Sequence, residues 1–117
     1  MFSEKLLDHF QRPRNAGELA GATATAEVGN PVCGDVLRLA ILVDGGVVRE
    51  ARFLCRGCTA SIASGSALTE RITGRSLDEV RSVQAEEISA ALGGLPPASI
   101  HAAQLAVDAL RTILAKL

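Results

Sequence analysis

The sequence predicts an α+β domain, a small antiparallel sheet of about three strands with helices packed on one face. Three observations carry that prediction. Two alternating segments, Val36–Val43 and Val47 to about Cys55, flank the turn Asp44-Gly45-Gly46. A run of small residues in a helical pattern, Thr59–Ile72, follows at once. The last segment carries apolar residues at 3–4 spacing: Ile100, Ala103, Val107, Leu110, Leu114 and Leu117. Strands first and helices afterwards favour an antiparallel sheet covered on one side.

Each element follows from its residues. Ser3 can cap a first helix whose apolar face is Leu6, Leu7 and Phe10, and Pro13 stops it. Asn15-Ala16-Gly17 reads as a loop. Thr23–Val28 has modest strand character and ends at the turn Gly29-Asn30-Pro31. In Val36–Val43, Leu37, Leu39, Ile41 and Val43 share a face, and Arg38 marks the other as wetted. Gly45 and Gly46 supply the positive φ of a tight hairpin. On the return strand Val47, Arg49, Ala51, Phe53 and Cys55 share one parity, and the core side is assigned to Ala51, Phe53 and Cys55. Val48, Glu50, Arg52 and Leu54 take the other, solvent-facing parity.

The Thr59–Ile72 helix ends at Gly74, and its Ala, Ser and Gly content implies close approach by a neighbour. Ser76-Leu77-Asp78-Glu79 is a capping box that opens a short helix. Another short helix spans about Ala85 to Leu92 and stops at Gly93-Gly94. Pro96-Pro97 force an extended approach to the last helix, which is expected to run to the C-terminus with His101 in its first turn.

At 117 residues the chain is expected to form a single domain, 1–117. Its net charge of −1 gives no basis for non-specific nucleic-acid binding. No apolar run approaches the roughly 20 residues needed to cross a bilayer. Met1-Phe2-Ser3-Glu4-Lys5 lacks a basic segment leading into an apolar one, so no signal peptide is read here. The expectation is a cytoplasmic protein that binds neither nucleic acid nor membrane.

Three cysteines make an odd set, a poor basis for a disulfide framework in a reducing compartment. A free cysteine often serves only as a small buried apolar residue. Here each lies within two residues of a glycine at a predicted element boundary, which favours metal ligation or thiol chemistry. Cys58, just before a helix N-terminus, is expected to ionise more easily than a free thiol. The Cys55-x-x-Cys58 spacing serves zinc sites, iron–sulfur sites and redox dithiols alike, and the last expects a βαβ setting that this order of elements lacks. Cys33, Cys55 and Cys58 with Asp35 or His101 can form a mixed four-ligand site. It would be poorer in sulfur than the four-thiolate sites of tightly held clusters, which suits a carrier.

Several stretches carry a family resemblance: Phe2-Ser3-Glu4-Lys5-Leu6-Leu7-Asp8-His9-Phe10 with Pro13-Arg14-Asn15, Asn30-Pro31-Val32-Cys33-Gly34-Asp35, Ala51-Arg52-Phe53 with Gly57-Cys58 and Ala60-Ser61-Ile62-Ala63-Ser64, Leu95-Pro96-Pro97, and Ile100-His101. In order and spacing the chain resembles the IscU/NifU-type iron–sulfur cluster assembly scaffolds over essentially its whole length. The short span between the second and third ligand regions resembles the IscU type rather than the SufU type. The resemblance implies the fold above and a non-enzymatic scaffold that binds iron, receives sulfur from a cysteine desulfurase, builds a labile [2Fe–2S] cluster and passes it to recipient apo-proteins. It implies Cys33 and Cys58 as ligands, Asp35 as the aspartate tied to cluster lability, and His101 as the histidine beside a third ligand cysteine. It also implies that Hsp70/J-type chaperones read Leu95, Pro96 and Pro97.

Three departures stand out. Ala102 occupies the third cysteine's position, that of the usual persulfide acceptor. Ser99 follows the prolines where the family carries lysine, which weakens the chaperone reading. Cys55 is an extra thiol, expected to replace the missing one. A tetrahedral S/N/O site also accepts zinc or iron alone. The alternatives are a degenerate scaffold relative that holds zinc or no metal and acts as a protein-binding module, and a dithiol redox protein using Cys55 and Cys58.

Overall fold

The computed structural model describes residues 2–117. Its elements are α1 (Glu4–Gln11), β1 (Ala24–Gly29), β2 (Val36–Asp44), β3 (Val47–Arg56), α2 (Thr59–Ile72), α3 (Leu77–Val80), α4 (Ala85–Ala91), a 3-10 turn at Pro97–Ser99, and α5 (Ile100–Leu114). The strands form one antiparallel sheet in the order β1-β2-β3, as the sequence predicts. Helices α2 and α5 lie across its core face, where Leu37, Leu39, Ile41, Ala51 and Phe53 meet Ala60, Ala63, Leu68, Ala103, Ala106 and Leu110.

The small residues of α2 have the consequence expected of them. A Cβ added at Gly65 would lie 2.5 Å from Phe53 Cδ2, so the helix reaches β3 only because that side chain is missing. α1 docks on α2: Leu6 is fully buried, and His9 Nδ1 lies 2.8 Å from Ser66 Oγ. Ser3 caps α1 by accepting from the Leu6 N–H at 3.0 Å and also donates to the Leu92 carbonyl. Its apolar face is narrower than the sequence suggests, because Leu7 and Phe10 stay about one-third exposed.

The alternation of β3 breaks near the turn. Leu42 pairs with Glu50 but Val43 pairs with Val48, which leaves Arg49 as the extra residue of a bulge. The bulge shifts the phase by one, so Val48 is buried and Arg49 exposed, the reverse of the parity read from the sequence. Beyond it, Ala51 and Phe53 point to the core as predicted, and Cys55 pairs with the buried Leu37. The capping box at Ser76 and Glu79 is formed, and it opens a helix of one turn. α5 stops at Leu114, and both ends of its predicted stripe, Ile100 and Leu117, are exposed. Among the described residues no helix is long and apolar enough to cross a membrane.

Candidate metal centre

Three segments distant in sequence meet at one end of the sheet. The β1–β2 connection brings Cys33 and Asp35. Asn30 N–H donates to the Asp35 carbonyl at 2.8 Å, Gly34 N–H to the Asn30 carbonyl at 2.7 Å, and Val32 N–H to Asn30 Oδ1 at 2.9 Å. Gly34 takes φ +77°, a left-handed conformation that costs a glycine little. The end of β3 brings Cys55, and Cys58 follows as the N-cap of α2. The first turn of α5 brings His101.

Cys33 Sγ, a carboxylate oxygen of Asp35 and an imidazole nitrogen of His101 lie within 4.8 Å of one another. Ligands around a tetrahedral Zn²⁺ at bond lengths of ~2.0–2.3 Å are separated by about 3.3–3.8 Å. The exposed Cys33 and His101 side chains therefore need to move by only about 1 Å to close on an ion. Asp35, in contrast, is buried.

Cys58 joins this group through Ser61. The Ser61 hydroxyl donates to Asp35 Oδ2 at 2.6 Å and lies 3.3 Å from Cys58 Sγ. That hydroxyl is the main reason the Asp35 carboxyl is held below its ordinary value, with hydrogen bonds from Cys58 and Cys33 adding to it against the opposing effect of burial. Asp35 is thus an anion at neutral pH inside a pocket with two exposed thiols and an imidazole. Such a mixed set of soft and harder donors suits iron or zinc.

All three cysteines are free. Cys55 is half-buried and lies outside the Cys33–Asp35–His101 group. Burial, then the negative charges of Asp35 and Cys58, push its thiol up to about 11. Ala102 is fully buried on the core side of α5, next to the exposed His101. In the proline segment Leu95 is buried, with its N–H donating to Ser89 Oγ at 2.9 Å, Pro96 is half-buried and Pro97 is exposed.

Ser61 and Gly57 lie in the matched stretches of the sequence, where neither carries a predicted role at the site. A Cβ at Gly57 would lie 2.7 Å from Asp35 Cγ, so this glycine makes room for the carboxylate. The Cys58-Thr59-Ala60-Ser61 spacing was the available clue, since residues three apart in a first helical turn share a side.

The family described as NifU-like N terminal domain matches residues 1–117. The chain is 42% identical over 118 residues to the iron-sulfur cluster assembly scaffold protein IscU of Escherichia coli (strain K12), covering 97% of this chain and 91% of that protein. It is 41% identical over 111 residues to the iron-sulfur cluster assembly scaffold protein IscU 1 of Archaeoglobus fulgidus, covering 95% of this chain and 72% of that one. The crystal structure of a nitrogen-fixing NifU-like protein (N-terminal) from Brucella abortus superposes with a TM-score of 0.80 at 20% identity, over 97% of this chain and 92% of the other. That last likeness is one of fold alone.

Proposed function

The chain belongs to the family of NifU-like N-terminal domains, and we infer that it is an iron–sulfur cluster assembly scaffold. The observation that carries this reading is the convergence of Cys33, Asp35 and His101, with Cys58 tied to them through Ser61. These four residues form the proposed ligand set, and Cys55 stands by as a further thiol whose burial favours the protonated form. Two exposed thiolates grip iron through soft donors, while a carboxylate and an imidazole complete the site with weaker ones. A cluster held by fewer than four thiolates is released more easily, which fits a cargo that is built and handed on.

The proposed cargo is a [2Fe–2S] cluster, and the same donors accept zinc or iron alone. The proposed sulfur source is a cysteine desulfurase, and the products go to recipient apo-proteins. Hsp70/J-type chaperones are a further proposed partner, through Pro96 and Pro97. Ser99 in place of lysine removes a charge from that contact, and burial of Leu95 leaves mainly the prolines to touch. The proposed role is carriage rather than turnover. The proposed compartment is the cytoplasm, where three free thiols stay reduced.

Anaerobic loading with ferrous iron and sulfide tests the reading. Metal-to-protein ratio and visible absorption are measured before and after loading. Bound iron and sulfide with thiolate-to-iron charge-transfer bands are expected, and Cys33→Ala and Cys58→Ala should each lose most of the signal. A folded protein that keeps zinc and takes up neither iron nor sulfide would overturn the scaffold reading.

A further inference from the structure

α2 carries three buried serines, and they differ in what they touch. Ser66 Oγ accepts from the Arg14 N–H at 2.8 Å and meets His9, which joins α1 to α2. Ser64 Oγ has no hydrogen-bond partner among the described residues. Ser61, fully buried, contacts two of the proposed ligands at once.

We propose that Ser61 is a positioning residue of the cluster site, whose hydroxyl fixes the orientation of the Asp35 carboxylate and couples Cys58 to the other donors. The inference deepens the scaffold reading and rests on it. Ser61 donates its only hydroxyl proton to Asp35 Oδ2, which fixes the rotation of the carboxylate within the pocket. On its other side the carboxylate meets Gly57, where even a methyl group would collide with Asp35 Cγ. Asp35 is clamped between a helix hydroxyl and a strand-end glycine. The clamp matters more in this chain than it would in one with a thiol at position 102, because here the carboxylate is a larger share of the donor set. Outer partners of this kind typically set metal affinity by about 10- to 100-fold.

The probe is Co²⁺, titrated anaerobically into the full chain, with ligand-field and thiolate-to-cobalt absorption recorded and affinity obtained by chelator competition. Wild type, Ser61→Ala, Asp35→Ala and the double variant are compared, with circular dichroism confirming the fold of each. Ser61→Ala is expected to bind Co²⁺ about 10- to 100-fold more weakly and with an altered ligand-field band, and the effect should disappear in the Asp35→Ala background. Unchanged affinity and spectrum in Ser61→Ala would overturn the inference. So would an equal loss with and without Asp35, which would mean that Ser61 acts only through packing. If Ser61→Ala does not fold, the isosteric pair Ser61→Thr and Ser61→Val decides: binding kept by Thr and weakened by Val supports the clamp, and equal binding rejects it. A wild-type chain that binds no Co²⁺ would reject the metal-site reading itself, whereas normal wild-type binding with an indifferent Ser61→Ala rejects only the clamp.

Discussion

Gly57 and Asp35 are the pair in which a single added carbon has the clearest consequence. With a Cβ 2.7 Å from Asp35 Cγ, Gly57→Ala must displace the carboxylate or the strand end. Because φ at Gly57 is not left-handed, the backbone tolerates alanine and the displacement falls on Asp35. Zn²⁺ affinity of Gly57→Ala by isothermal titration is expected to fall by about tenfold, with an unchanged far-ultraviolet spectrum. Cys55 gives the opposite expectation. A half-buried thiol outside the Cys33–Asp35–His101 group, pushed up to about 11, is a neutral and slow nucleophile near pH 8. Iodoacetamide should modify Cys33 first and Cys55 last, as read by peptide mass mapping, and Cys55→Ala should retain its cluster absorption after reconstitution. The two proposed ligands most visible in the sequence, Cys33 and Cys58, are reactive residue types at glycine-marked boundaries. Ser61 and Gly57 act through contacts made only once strand and helix have met, and a one-dimensional pattern does not contain those contacts.

Among the elements, α1 docks chiefly on α2. Leu6 is fully buried there, and Leu6→Ala should cost about 2–5 kcal/mol by chemical denaturation. His9 is buried beside it. Burial, and then the Arg14 guanidinium, hold its imidazole below the ordinary 6.5, against the smaller opposing pull of Glu70 and Asp8. Below about pH 6.5 the unfolded chain binds a proton that the folded chain resists, so stability falls as pH drops through that range toward the lower folded value. Thermal unfolding of wild type should weaken between pH 7 and pH 5, and His9→Gln should flatten that decline. The helices and the hairpin were readable from period and turn chemistry alone. The bulge at Arg49 was not, because alternating residues on either side of an inserted one look the same as an unbroken strand. The exposure of Leu7 and Phe10 was also hidden, since periodicity gives the width of an apolar stripe but not how much of it a neighbour covers.

On the scale of the molecule, the candidate centre draws on the β1–β2 connection, the start of α2 and the start of α5, so it exists only in the folded chain. A metal that binds there and not to the unfolded state must stabilise the whole. At free Zn²⁺ of 100 times the dissociation constant the gain is about 2.7 kcal/mol, visible as a raised unfolding temperature. Asp35→Ala should remove most of that rise and also lower the metal-free midpoint, because the buried Ser61 hydroxyl loses its acceptor.

The donors are unequally tethered. Asp35 belongs to the root of β2, pinned by Asn30, Gly57 and Ser61. Cys33 stands two residues farther out on the hairpin tip, beside a Val32 that is 94% exposed and ahead of a glycine with positive φ. The inner wall of the pocket is therefore held by several contacts, while its outer donor stands in solvent. An ion arriving from solvent meets the exposed Cys33 thiol before the buried carboxylate.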